Sequence, residues 1–384
     1  MAHITRFEVE GLTGRVQKVS RTLARDVNVF FGLNGSGKTS LLKILHSAMA
    51  NDASILERVP FARAQVQIHS ADRRGEFTRT ISRDPEESQK AEDAQVNLLG
   101  DPVRRQKAPR RALAWASDPP GIDAAMSHQW LPTSRIYPLA PRHVLYRDER
   151  RSGLDADAEE VFDSLYESML TERWLVFSTQ TLIDVSEAQE EGLAAVLRAV
   201  LSEKEGRVDS PELSVEDAYV RLGSFLQRRN AQSWLPPKGE FLRRYESELR
   251  LRSVALDIGR VEARIEAAML PRTRLQGFVT KLFGTRKKVT IGDRSLEVKI
   301  GDKALGLGSL SSGEKHVLRL LIDTVGVAEN CLMVDEPEIS LHIDWQRDLL
   351  ASMQEINPQA QLIVATHSPE IMADVSDEAI FRLV

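Results

Sequence analysis

Gly32-Leu33-Asn34-Gly35-Ser36-Gly37-Lys38-Thr39 is the stretch on which the reading of this 384-residue chain turns. It fits G-x-x-x-x-G-K-[S/T], and chemistry explains the spacing. Glycines let the backbone curl so that successive N–H groups point at one anion. The helix that follows presents its positive N-terminal end to the same charge. Lys38 supplies a point charge for the β- and γ-phosphates of a nucleotide, and the Thr39 hydroxyl is a ligand for Mg²⁺. The flanks suit the motif. Val27-Asn28-Val29-Phe30-Phe31 reads as a strand buried on both faces. Leu41, Leu45 and Ala48 recur at helical spacing, widened by Leu42 and Met49. Asn34, Gly35, Ser36, Gly37, Lys38, Thr39 and Ser40 are the candidate phosphate contacts.

Far downstream, Cys331-Leu332-Met333-Val334-Asp335-Glu336 is an apolar run ending in two acids. Burying that strand brings both carboxylates to its C-terminal mouth, where open α/β sheets bind ligands. Asp335 suits a metal, directly or through water, and Glu336 suits activation of an attacking water. Two acids are needed because a metal-bound carboxylate is a poor base.

Between these ends the pattern changes. Residues 64–83 read as strands around an Arg73-Arg74-Gly75 turn. Residues 84–125 are polar and weakly periodic, expected as loops and short helices. Residues 154–290 read as mainly helical, with Val161, Leu165 and Met169 on one face and Ile258, Val261, Ile265 and Met269 on another. Pro236-Pro237 and Pro271 punctuate them. The heptad-like part near 240–270 is too short for a long coiled-coil arm. Strands return from Val289 (Ile291, Leu296, Val298, Ile300). Strand Cys331–Asp335, helix Trp345–Ile356 and strand Leu362–Thr366 imply a parallel pair with a crossover helix. The expected fold class is α/β. Residues 1–90 and 289–384 form a discontinuous nucleotide-binding lobe, and residues 91–288 a mainly helical insertion.

Composition narrows the alternatives. Lys plus Arg number 51 against 56 Asp plus Glu, a net charge of −5, which argues against wholesale coating of nucleic acid but not against a local basic groove. Hydrophobic residues make up 42% and charged residues 28%, which fits a globular chain with a core. One cysteine excludes a disulfide scaffold and suits a reducing cytoplasm. No run approaches the roughly 20 apolar residues that span a bilayer. The charged N-terminus, MAHITRFEVEGL, does not read as a secretion signal. The expectation is a cytoplasmic protein with no membrane contact.

Three further motifs complete a recognisable set. Leu310-Ser311-Ser312-Gly313-Glu314-Lys315 resembles the signature motif of ABC-type ATPases. Asp335-Glu336-Pro337-Glu338-Ile339-Ser340-Leu341-His342 resembles their Walker B and D-loop, and Ala365-Thr366-His367-Ser368-Pro369 their switch histidine. The order along the chain matches too. The phrasing resembles the SMC/RecF/OLD branch, and within it the stand-alone ATPases of bacterial anti-phage systems (Septu, PARIS and OLD-like groups). The resemblance covers residues 1–50 and 289–384 strongly and 84–240 weakly.

The resemblance implies an ABC-type (P-loop) ATPase head that binds ATP and Mg²⁺ and hydrolyses ATP. Ser311, Ser312, Gly313 and Glu314 would close on the nucleotide of a partner copy, giving a head-to-tail homodimer or a higher homo-oligomer. His367 would sense the γ-phosphate beside Glu336, and Ser340 to His342 would communicate between sites. Thr39 and Asp335 would hold the metal. The family's glutamine loop has three candidates: Gln65, Gln67, and Gln129, which precedes Leu131-Pro132-Thr133-Ser134-Arg135, a run similar to a proline-serine-arginine segment of the defence ATPases. Each glutamine taken alone reads as ordinary strand or loop polarity, so the metal's third protein contact stays open. Seventeen residues follow His367, too few for the TOPRIM nuclease domain of OLD proteins, so a separate effector, a nuclease, is expected as partner. The competing readings are a RecF- or SMC-like DNA-maintenance ATPase and a non-hydrolysing nucleotide-gated interaction module.

Weaker signals remain. Arg104, Arg105, Lys107, Arg110 and Arg111 beside Trp115, and Arg286-Lys287-Lys288, fit contact with a DNA backbone or a solvated loop. Asp293 with Glu297-Val298-Lys299 mimics a nuclease layout, but alternation in an exposed hairpin gives the same letters. Asp155, Asp157, Glu159 and Glu160 suit a helix start as well as a metal.

Overall fold

The computed structural model describes residues 1–73, 75–83, 113–133, 154–201, 214–227, 230–284 and 287–383. The strands and helices of the N-terminal part are β1 (Ala2–Glu10), β2 (Val19–Thr22), β3 (Val27–Phe31), α1 (Lys38–Ala50), β4 (Arg63–Ser70), β5 (Gly75–Ser82), β6 (Ala116–Asp118) and β7 (His128–Leu131). Four helices follow: α2 (Leu154–Leu201), α3 (Val215–Gln227), α4 (Lys238–Ser247) and α5 (Leu249–Phe283). The C-terminal part holds β8 (Lys288–Ile291), β9 (Leu296–Ile300), β10 (Lys303–Leu305), α6 (Ser312–Gly326), β11 (Cys331–Asp335), α7 (Ile343–Ile356), β12 (Gln361–Thr366) and β13 (Ile380–Arg382).

The chain divides into two compact units. One comprises Met1–Arg173, Leu275–Thr290 and Leu296–Val384, the other Trp174–Arg274 and Ile291–Ser295. In the first, the apolar runs form a parallel sheet in the order β13-β3-β12-β11-β7. Its strands β11 and β12 are buried at every residue, as strands covered on both faces must be. Cys331 pairs with Gln361 and Asp335 with Ala365, so β11, α7 and β12 form the expected parallel crossover. A second sheet, β2-β1-β4-β5-β6, is antiparallel and, after an exposed Arg63, alternates buried with half-buried residues along β4.

Helix α1 packs against β11 and β12 of the first sheet and β4 of the second. Phe7, Phe30, Leu41, Leu45, Met333 and Ile363 share this core. Gln361, fully buried, stitches the sheets together. Its Oε1 accepts from Ile4 N at 2.9 Å, and its Nε2 donates to the carbonyls of Ile4 and Ala24, both at 2.8 Å.

The far end of α1 is closed by Arg79 of β5, which is fully buried. Its guanidinium donates to Ala48 O, to Met49 O at 3.2 Å, to Ile122 O at 3.1 Å and to Ala124 O at 2.7 Å. A cation on the last carbonyls of a helix complements its dipole. Burial pulls the Arg79 pKa down to about 10, still high enough to keep the charge near neutrality. Arg79→Met should cost about 3 kcal/mol by leaving these carbonyls unpaired. A thermal melt should read this as a fall of roughly 6–12 °C.

The same helix carries a pH-sensitive contact. His46 Nδ1 lies 2.7 Å from His128 Nε2, and His128 Nδ1 lies 2.8 Å from Met126 O. The carbonyl fixes Nδ1 of His128 as donor, so its Nε2 accepts and His46 donates. Burial pushes both pKa values down, His46 to about 4. The folded state thus holds neutral rings that the unfolded chain protonates below about 6.5. Stability should be complete above that pH and fall toward pH 4, by at most about 1.4 kcal/mol per pH unit for each ring. Urea midpoints at pH 7.5 and 5.0 test this, with a smaller difference expected in His46→Gln.

Two local expectations are corrected. Residues 116–118 form β6 rather than loop or short helix, because β5 offers them an edge, pairing Thr80 with Ala116. Pro271 does not end a helix; α5 runs through it. Burial of Ile258 and Val261 before it and Leu275 and Val279 after it outweighs the lost hydrogen bond. Among the described side chains of α2, Tyr166, Leu170, Trp174, Ser178, Thr181 and Ala188 are buried, with Leu165 and Met169 only half-buried. Arg74, Arg104 to Arg111, Ser134, Arg135, Arg286 and the side chains of Asp155, Asp157, Glu159, Glu160 and Val161 lie outside the described residues.

The second unit has its own core of Ala218, Leu222, Phe241, Tyr245, Ala255 and Ile258. There Asp293 ion-pairs with Arg272. In the first unit Glu297 pairs with Lys299 at 3.0 Å, as exposed hairpin residues do. Among the described residues no helix is long and apolar enough to cross a membrane.

Candidate nucleotide site

The loop between β3 and α1 adopts the curl its glycines permit: φ is +83° at Gly35 and +91° at Gly37, the left-handed region. It floors a cavity of about 530 Å³ lined by Asn34, Gly35, Gly37, Lys38, Thr39 and Ser40, within the range of small-molecule sites. Ser36 is not on that wall. Its amide donates to Leu33 O at 3.1 Å, and its hydroxyl is buried with no partner among the described residues. Lys38, 4% exposed, donates to the carbonyls of Gly32 at 2.8 Å and Leu33 at 3.2 Å. Its ammonium lies 3.5 Å from Glu336 Oε1.

Thr39 Oγ1 donates to Asp335 Oδ2 at 2.9 Å, and Thr133 Oγ1 donates to the same oxygen at 2.6 Å. Hydroxyl and carboxylate oxygens at a helix N-terminus form the hard donor set that Mg²⁺ takes, so the residues present fit the ion. Burial pushes the Asp335 carboxyl up, against the pull of Thr133, Thr39 and Lys38. Glu336 adopts φ +54°, a strained conformation for a glutamate, and its amide donates to Ala365 O at 2.8 Å. Burial, then the neighbouring Glu338 charge, raise its pKa, while His367 opposes them. Its Oε2 accepts from His367 Nδ1.

The signature segment stands elsewhere. Ser311 caps α6, with its hydroxyl accepting from Glu314 N at 3.3 Å and its amide donating to Glu314 Oε2 at 2.6 Å. Glu314, expected among the nucleotide contacts, is taken up by this capping box and by Lys287, whose Nζ is 2.6 Å away. Burial raises the Glu314 pKa, but Lys287 and the Ser311 amide bring the net value below normal. Ser311 and Ser312 are exposed, and no residue of 311–314 is on the cavity wall. Gly313 is required where it stands: a Cβ there would meet Ser340 O at 2.4 Å.

The three glutamines do not reach the phosphate loop. Gln65 and Gln67 lie on β4 beside Arg6 and Glu8, and Gln129 lies beside the buried Asp323 of α6. Thr133, inside the run noted for its resemblance, is the residue that meets Asp335. Thr13 and Arg58 also line the cavity. Thr13 had a faint signal in the Gly11–Gly14 turn; Arg58 had none.

One family model matches residues 189–373, and its description reads "AAA domain, putative AbiEii toxin, Type IV TA system". The match is a similarity over slightly less than half of the chain. Phosphate loop, exposed signature tip, paired acids and histidine stand on one α/β frame. The chain is also similar to the Retron Vc95 probable ATPase of Vibrio cholerae serotype O1 biovar El Tor, at 29% identity over 89 residues. That match covers 20% of this chain and only 17% of the relative. Among solved structures it resembles an Smc head domain of Pyrococcus furiosus at 13% identity and TM-score 0.41, covering 97% of this chain and 92% of that one. An Smc head domain of Pyrococcus yayanosii matches at 15% identity and TM-score 0.40, covering 100% and 95%.

Proposed function

We propose that this AAA/ABC-type chain binds Mg-ATP, closes head to tail on a second copy, and hydrolyses ATP, acting as sensor or scaffold for a separate effector, a nuclease, in anti-phage defence in the cytoplasm. One observation carries the reading: the chain's signature tip is exposed and takes no part in its own phosphate cavity, so each copy offers two unlike halves of a site. The capped helix end is an anion receptor, and the phosphate loop holds the anion. Joined across a two-fold axis, the halves make two complete sites.

In this mechanism the loop amides and Lys38 orient the triphosphate. Thr39 and Asp335 would hold Mg²⁺, which would supply positive charge to offset that of the phosphates. Glu336 takes the proton of the attacking water, and His367, donating through Nδ1 to Glu336, fixes that carboxylate's orientation. The sequence resemblance to defence ATPases, the retron name of one relative and the toxin-system name of the family model support the setting.

The test is phosphate release from Mg-ATP by the wild-type protein, alone and with the products of adjacent genes, alongside its mass in solution with and without nucleotide. Turnover with a nucleotide-dependent doubling of mass is expected. No release under any partner condition would leave a non-hydrolysing interaction module instead.

A further inference from the structure

Glu338 lies two residues beyond the acid that faces the cavity, and the mechanism above does not use it. It is 6% exposed. A single oxygen, Oε1, accepts from Thr366 Oγ1 at 2.5 Å, His367 N at 3.0 Å and Ser368 N at 3.1 Å. The same oxygen is 3.2 Å from His367 Nδ1. The last residue of β12 and the first two residues of the turn after it thus hang on one carboxylate oxygen. Its partner, Oε2, has no hydrogen-bond partner among the described residues.

The far side of the turn is tied as well. Ser368 Oγ donates to Gln346 Oε1 at 2.8 Å, Gln346 Nε2 donates to Leu341 O at 3.0 Å, and Leu341 N donates to Glu338 O at 3.0 Å. The bonds form a closed circuit from Glu338 through the histidine turn and α7 back to Glu338. Within it, His367 keeps one ring atom, Nε2, without a partner among the described residues, while Nδ1 serves Glu336.

We propose that Glu338 is the positioning residue for His367: it fixes the backbone of the turn so that the ring meets Glu336 on one side and leaves Nε2 for the phosphate on the other. This rests on the ATPase reading above. A helix or strand holds its backbone through its own ladder, whereas these three donors, at the end of β12 and in the turn after it, converge on one buried oxygen. A carboxylate oxygen accepts all three at once. Glutamine can do so too through its carbonyl, with its amide nitrogen where Oε2 stands. Alanine cannot.

The experiment compares Glu338→Ala, Glu338→Gln, His367→Ala and the double variant Glu338→Ala/His367→Ala. Misplacing a reacting group by about 1 Å costs on the order of 100-fold. Glu338→Ala should therefore lose roughly 30- to 100-fold in kcat, with KM for ATP changed less than about 3-fold. Glu338→Gln should stay within about 5-fold of wild type, since it keeps the acceptor. In the His367→Ala background, removing Glu338 should add nothing, because a residue that acts through the ring has nothing left to position.

Wild-type kcat in Glu338→Ala, an equal loss in Glu338→Gln, or full additivity with His367→Ala would each overturn the proposal. A readout free of turnover separates it from the ATPase reading: ¹⁵N shifts of the His367 ring should change in Glu338→Ala and persist in Glu338→Gln. If wild-type protein releases no phosphate, the ATPase reading falls, and unchanged ring shifts in a folded Glu338→Ala protein would still overturn the positioning role by themselves.

Discussion

Lys38→Ala should raise the dissociation constant for ATP by about 100-fold or more, the loss of a charge-assisted contact worth about 3 kcal/mol. The ammonium is nearly buried, so little water competes with a phosphate for it. It is also prearranged: the carbonyls of Gly32 and Leu33 grip it at 2.8 and 3.2 Å. Glu336, 3.5 Å away, gives it a partner that an arriving anion displaces. Removing the charge takes away the attraction and leaves Glu336 facing the phosphates, so repulsion adds to the loss. Arginine should not rescue the variant, because its planar fork does not reproduce the compact ammonium that the carbonyls of Gly32 and Leu33 hold. Titration with a fluorescent ATP analogue measures the effect, with the circular dichroism spectrum confirming the fold. Unchanged affinity in a folded variant would remove the phosphate loop from the site.

Much of this site was legible in the linear sequence because its chemistry is local. The curl of residues 32–39 is set by glycine spacing, and the two acids at 335 and 336 follow from where a buried strand must end. The crossover from β11 to β12 is short, so its parallel pairing could be derived. What stayed hidden depends on contacts between distant segments. Strand β7 adds to β11 by pairing His128 with Cys331, and thereby brings Thr133 to Asp335, a meeting no local pattern announces. The glutamines illustrate the opposite failure. Gln65 and Gln67 alternate along β4 on its less buried face, and only the sheet shows that this face is turned from the phosphate loop. Glu314 looked like a ligand by motif, but its side chain closes the capping box three residues back, a local rule the motif concealed. Glu338 looked like part of a D-loop phrase; its three donors lie 28 to 30 residues downstream.

Glu336→Gln should separate binding from chemistry. Glutamine keeps the length and shape of the side chain, can still accept from His367 Nδ1, and removes only the basic oxygen. Loss of a general base lowers kcat by roughly 10²- to 10⁴-fold. Affinity for ATP should hold within a few-fold or improve, because a negative charge beside Lys38 and the phosphates has gone. The raised pKa of Glu336, caused first by burial and then by Glu338, makes the native carboxylate a stronger base than an exposed one, so the loss should lie toward the upper part of that range. Slowed hydrolysis then lets the closed form accumulate. In light-scattering chromatography the variant should run as two chains with Mg-ATP and one chain with ADP, whereas Lys38→Ala should run as one chain in both. A Glu336→Gln protein that failed to bind ATP would make this acid a binding residue. One that turned over at the wild-type rate would move the water-activating role to another group, and the two variants together distinguish a site that grips nucleotide from one that also consumes it.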